Sequence, residues 1–299
     1  LKLSMKEAFA DKKYKSRSYI EFKLDSEAKK ALGLDWKIID APNIEGYALI
    51  KADVTVKEND LIEIDVNADL ENAKIDYSYL GFVKQSGEKA QATAHVVMKK
   101  DKVTEVTKLN LSKADFVIDG DVKMYPSGRV NLVNIHKING PKTSARAKIS
   151  LTDNDKAKVK IDVSGSSYDL TALFDKTDSK ISPNKTAEKQ SANEDDGLET
   201  VNDIDAFITV NSLWTNKTTP IKNFAGSAKL RNGIGIDEVH MVGNYGIDKS
   251  IKVSLDYTPR GKNEHYLAID SNNAGSTLKV LRLYDNMVGG TLKIEARRD

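Results

Sequence analysis

The residues of this chain whose types and spacing could do chemistry are four histidines, some close carboxylates and one serine-rich turn. His95, His136, His240 and His265 lie far apart, and none has another within four positions. The spacing that puts two imidazoles on one helix face for zinc is therefore absent, and each is expected to be a strand surface residue. Asp153 and Asp155 stand in "TDNDKAKVKID", which lacks the glycine and the terminal glutamate of a calcium loop and reads as a hairpin turn entering a strand. "SGSSYD" sets serines near Asp169 without the glycine-framed elbow of an esterase, and no glycine-rich stretch ends in the Lys-Ser/Thr of a phosphate loop. The chain has no cysteine, which excludes disulfides, thiolate zinc sites and cysteine nucleophiles. An enzyme would have to gather scattered carboxylates such as Asp119, Asp169 and Asp270 into one hydrolase site. The reading carried forward is a non-enzymatic protein with no catalytic residue, no metal and no cofactor.

Charge narrows the partners. Lys and Arg total 46 against 44 Asp and Glu, a net charge of +2, so no strong overall field favours nucleic acid, and none is expected as a partner. No run approaches the roughly 20 apolar residues that a helical membrane span requires. The opening stretch "LKLSMKEAFADKKYKSRSYIEFKLD" lacks the apolar centre of a signal peptide, so any targeting segment is expected upstream of Leu1.

The elements that would position such residues are mostly strands. In "LIEIDVNADL", Ile62, Ile64, Val66, Ala68 and Leu70 share one face while Glu63, Asp65, Asn67 and Asp69 share the other. The same alternation recurs in "ATAHVVM", "ARAKISL", "AKVKIDVSG" and "SIKVSLDY", with turn residues such as "KEND", "YPSG", "TDND" and "TPRGKN" between runs. The expected fold class is mainly β: a long, curved antiparallel sheet, groove-like and curled lengthwise, with one or two short amphipathic helices. One helix is "DSEAKKALGLD", capped by Asp25 or Ser26 and stopped by Gly33. The other is expected over about 274–288, capped by Asn273 or Ser276, with Leu278, Leu281, Tyr284 and Met287 at helical spacing and Gly289-Gly290 as its end. "KTDSKISPNKTAEKQSANEDDGLET" has too little apolar surface to offset the entropy of ordering. It divides the chain into a β-rich region over 1–175 that carries the first helix, a polar loop or linker over 176–200, and a β region over 201–299 that carries the second.

In order, "LGLDWKI", "IEGYALIKADVTV", "AKIDYSYLGFVKQSGEKAQATAHV", "FVIDGDV" and "VSGSSYDLTALFD" resemble the middle region of the bacterial AsmA-like envelope proteins, the YhdP-type group. "FAGSAKLRNGIGIDEVHMVGNYG" and "LAIDSNNAGSTLKVLRLYDNMVGGTLKIEARRD" are similar to that group's C-terminal segment, with Asn273 where an aspartate is usual. That exchange keeps N-capping ability and loses a charge. The resemblance covers about 27–175 and 200–299. It implies a periplasmic protein anchored to the inner membrane by an upstream segment outside this chain. Membrane contact would come through such segments. Function would be lipid transport or lipid homeostasis between inner and outer membranes, with phospholipid as partner and envelope proteins as further partners.

A lipid conduit needs a continuous apolar strip, because each exposed methylene costs about 0.8 kcal/mol. The groove residues expected on this reading are Ile62, Ile64, Val66, Val159, Ile161, Val163, Val253, Leu255, Leu278, Leu281, Tyr284 and Met287. Two alternatives stay open from the residues: the apolar faces pack on each other as a sandwich or partly closed barrel, or the protein is a scaffold that assists outer-membrane protein or envelope complex assembly through strand edges and the 176–200 loop.

Overall fold

The computed structural model describes residues 2–7, 14–31, 44–77, 81–154, 158–172, 203–231, 235–246, 250–261, 264–280, 284 and 286–298. The chain is mainly β, with antiparallel pairing wherever partners are defined among the described residues. No described helix is long and apolar enough to cross a membrane. Two compact units are present: Leu1–Tyr77, Phe82–Asn154 and Val159–Asp162 form the first, and Ser78–Gly81, Asp155–Lys158 and Val163–Asp299 the second. Residues 176–200, expected as a linker, lie outside the described residues, as do Gly33 and Leu281.

In the first unit the main sheet has the order β1 (Lys2–Glu7), β2 (Ser16–Leu24), β4 (Ala48–Val56), β5 (Leu61–Asp69), β8 (Ala90–Lys99), β9 (Lys102–Lys113), β10 (Phe116–Met124), β11 (Val130–Gly140) and β12 (Thr143–Leu151). Near-neighbour pairing follows from short turns. Asn59-Asp60 and Lys100-Asp101 all have positive φ, between 50° and 61°, the handedness that suits tight hairpins. Helix α1 (Ser26–Ala31) follows β2, and the Asp25 carboxylate caps it by accepting from the Ala28 N–H at 3.1 Å.

Two strands between β5 and β8, β6 (Ala73–Tyr77) and β7 (Phe82–Lys84), join β3 (Ile44–Gly46), which precedes β4, in a separate three-stranded sheet of order β3-β6-β7. Its Phe82 is fully buried and meets the ring of Phe116, the first residue of β10, edge-on at 5.3 Å between centroids. Gly140 makes room for that ring, since a Cβ there would collide with Phe116. The small sheet thus covers the main sheet where β10 begins. Lys84 is also fully buried, and its ammonium donates to the carbonyls of Glu71 (3.1 Å), Ala73 (2.6 Å) and Gln85 (2.8 Å). Burial pushes its pKa down, while Glu88, Glu71 and Asp69 pull the other way.

The second unit carries the end of β13 (Lys158–Asp169) and the strand order β14 (Asp203–Trp214), β15 (Ile221–Arg231), β16 (Gly235–Tyr245), β17 (Ile251–Pro259), β18 (His265–Ser271) and β19 (Leu292–Arg298). Helix α2 (Ala274–Val280) sits between β18 and β19. It is shorter than the expected 274–288: Tyr284 and Asn286–Val288 are irregular.

Replacing Lys84 by Met removes the ammonium and leaves three inward carbonyls short of a donor. The first unit should lose about 2–3 kcal/mol of stability, read as a lower urea midpoint with an unchanged slope.

Candidate functional site

Register turns period-two alternation into rows of apolar side chains running across the strands. In the first unit Val54 pairs with Ile64, Ile64 with Val96, Val96 with Val106, Val106 with Val122, Val122 with Val133, and Val133 with Ile149. A second row runs Ile50, Ala68, Ala92, Leu111, Ile118, Ile138 and Ala145. Within the rows, Val106, Val122, Ile118 and Ile138 are buried, whereas Val54, Ile64, Val96, Val133 and Ile149 are half-buried.

Strict alternation could not keep these rows on one face. Val106 and Leu109 are three apart, as are Ile135 and Ile138, which in a regular strand would point oppositely. Bulges restore them: Lys108 has φ of 51°, and both neighbours of β9 shift register around it. β11 carries its extra residue at His136 and Lys137, both exposed, opposite Gly120, where a Cβ would collide with the Asn134 carbonyl. In the second unit Asn223, with φ of 49°, lets Ile221 and Phe224 both be buried.

The second unit has its own rows: Ile208, Gly226, Met241, Leu255, Ile269 and Ile294, and beside it Ala206, Ala228, Val239, Tyr257, Leu267 and Ala296. Of the expected groove residues, Ile62, Ile64 and Val66 stand together on β5 and are half-buried. On β13, Val159 and Val163 are buried and Ile161 is half-buried. Val253 is buried and Leu255 half-buried on β17.

The helix residues are placed differently from the expected inward stripe. The buried residues of α2 are Ala274, Gly275, Thr277 and Val280; Leu278 is half-buried, while Tyr284 and Met287 are exposed. The double glycine does not end the helix at its C-terminus. It returns to the start, where the Gly290 and Gly289 carbonyls accept from the Ala274 and Gly275 N–H groups at 2.6 and 3.0 Å. Asn273 caps through its side chain, accepting from the Ser276 N–H at 3.0 Å. Beneath lies a polar knot. Thr277 Oγ1 donates to Ser271 Oγ at 2.5 Å and bonds the buried Tyr245 hydroxyl, and the Thr215 hydroxyl donates to the Val280 carbonyl at 2.9 Å. Sequence spacing missed this because Thr277 and Tyr245 are far apart in the chain.

Polar side chains on the other face pair in ladders. His95 bonds Asp65 at 2.8 Å, and His136 bonds Asp121, which also accepts from Asn134 at 3.0 Å. Lys108, Asn110, Asp119, Asp121, Asn134 and His136 line a shallow depression of about 550 Å³ at the bulges. In the second unit Lys229 donates to Glu238 at 2.6 Å, and His240 bridges Glu238 (2.7 Å) and Asp256 (2.6 Å). His265 instead stacks on Tyr257 with centroids 4.8 Å apart. The carboxylates considered for a hydrolase find separate settings: Asp119 accepts from Asn110, Asp169 from the Thr171 N–H at 2.8 Å, and Asp270 lies near Lys293 at a depression of about 720 Å³. Among the described residues, no three His, Asp or Glu side chains come together in a way that could hold a metal ion.

Hydrogen bonds that the His240 ring donates to Asp256 and then Glu238 raise its pKa above the ordinary value, and Lys229 followed by His240 holds Glu238 below the usual carboxylate range. A raised histidine contributes stability that is full below its ordinary pKa and lost as pH rises through the folded value. The lowered Glu238 contributes above its ordinary pKa and loses that contribution as pH falls. The second unit should therefore weaken modestly as pH rises past about 6.5, since the ladder is partly exposed to solvent. His240→Gln should flatten that slope in thermal unfolding followed between about pH 6 and 8, with the NMR titration of the His240 ring lying above that of a free histidine.

The chain has no match among protein-family models, curated proteins or solved structures.

Proposed function

We propose that this protein is a non-enzymatic lipid-transport or lipid-homeostasis protein of the AsmA-like kind, acting in the periplasm and held to the inner membrane by a segment outside this chain. Its apolar sheet faces accommodate phospholipid acyl chains without covalent chemistry. The observation that carries this reading is the continuity of the rows together with their incomplete burial. Ile62, Ile64, Val66, Val96 and Met98 in the first unit, and Met241, Leu255 and Leu267 in the second, keep part of their surface open although they are apolar and face the same side as the buried core.

The dimensions suit an acyl chain. Six strands about 4.8 Å apart give the second unit's rows a length of about 24 Å, more than the roughly 15 Å depth of one leaflet's hydrocarbon. Each methylene laid on such a row is worth about 0.8 kcal/mol, and no directional group is required. The opposite face, with its paired Lys, Glu, Asp and His, stays in water.

The test is mass spectrometry of an organic extract of the purified protein, with an unrelated β protein of similar size prepared alongside. Near-stoichiometric phospholipid is expected with this chain alone. Ile64→Asp or Leu255→Lys, each placing a charge in a row, should lower the bound lipid at least fivefold, whereas His95→Gln should leave it unchanged. A clean extract from folded protein would overturn the lipid reading in favour of a self-packed core and the assembly-scaffold role.

A further inference from the structure

Among the described residues between α2 and β19, 284 and 286–291, the backbone is braced against the helix, yet three of the side chains it holds out are apolar. Two N–H groups of the first helical turn bond back to Gly290 and Gly289, and the Tyr284 N–H donates to the Leu278 carbonyl at 3.3 Å. Gly289 and Gly290 have φ of 67° and 77°, in the region that favours glycine. At Gly275 a Cβ would collide with the Met287 carbonyl, so the backbone at Met287 and Val288 lies directly on the helix. Against this support, Tyr284 is 54% exposed, Met287 46% and Val288 97%. A single exposed apolar residue is ordinary, but three within five positions on a loop fixed by three glycines are not.

We propose that this loop is a membrane-surface contact: Val288 and Met287 enter the acyl region of a phospholipid bilayer while Tyr284 stays at headgroup level. The choice of occupant rests on the lipid reading above and on two features of the loop itself. Three side chains are far too few for a specific protein interface, which takes roughly 800 Å² from each partner, but they suit shallow insertion, and a tyrosine beside aliphatic residues matches the membrane–water boundary. The loop also runs straight into the sheet. Val288 is four residues, at most about 14 Å of extended chain, before Leu292. Leu292 and Ile294 belong to β19, and Ile294 ends the row that includes Leu255 and Ile269. An acyl chain leaving a bilayer at this loop would meet the end of that row.

The experiment is flotation with phosphatidylcholine vesicles, in low salt and in about 0.5 M salt, where exposed charges are screened beyond a few ångströms. The wild-type chain is expected to float in both. Met287→Asp with Val288→Asp should cut the bound fraction at least tenfold while the unfolding midpoint stays unchanged. A Tyr284→Trp variant should shift its emission to the blue on adding vesicles and be quenched by brominated acyl chains. A wild-type chain that stays at the bottom of the gradient, floats only at low salt, or floats equally well with both aspartates overturns the proposal. Flotation that depends on Met287 and Val288 alongside a lipid-free extract would sustain the membrane contact while the acyl-binding rows fell, so the two readings fail separately.

Discussion

Everything in this protein depends on antiparallel pairing held in one register. Side chains alternate across a strand with a period of two, so a slip of one residue would carry a whole strand's aliphatic set to the solvated face. In-register neighbours convert that liability into a gain. Val54, Ile64, Val96, Val106, Val122, Val133 and Ile149 come from seven strands, yet form one row. Short hairpins hold the order, because each strand's partner is mostly its neighbour in the chain.

The bulges show the register being corrected where the sequence departs from alternation. At Lys108, at His136-Lys137 and at Asn223 an extra residue is turned outward or into a left-handed conformation, and apolar residues three apart recover a common face. Lys and Asn tolerate such positions because the alternative is an Ile or Val pointing into water, at roughly 1.5–3 kcal/mol each. The same economy explains the end covers. A sheet with one apolar face leaves its margins open, and here Phe82 of the small sheet lies against Phe116, while Val280 of α2 is buried and its carbonyl accepts from the Thr215 hydroxyl.

The two faces therefore divide the work. One holds aliphatic rows graded from buried to half-open; the other holds ion pairs and hydrogen-bonded amides whose partners lie on adjacent strands. His95, His136 and His240 each pair with a carboxylate there, which gives them a structural occupation independent of any chemistry. A surface of this kind is suited to collective, non-directional binding, in which many methylene contacts add and no single residue dominates.

The sequence by itself determined the class of the fold, because alternation is a local property: Ile62, Ile64 and Val66 had to share a face whatever the strand paired with. It also carried the caps, since Asp25 and Asn273 bond within three residues of themselves. What only the tertiary structure decided are the contacts between residues distant in the chain. Leu278, Leu281, Tyr284 and Met287 read as a helical stripe, but the helix described ends at Val280, and Gly289-Gly290 fold back to bond its first turn. Hydrogen bonds between residues 14 and 16 positions apart leave no periodicity to read. The buried Lys84, the Phe82–Phe116 pair and the bulge at Lys108 were hidden for the same reason: each is set by backbone or rings on another strand, and local sequence pattern has no access to what lies across the sheet.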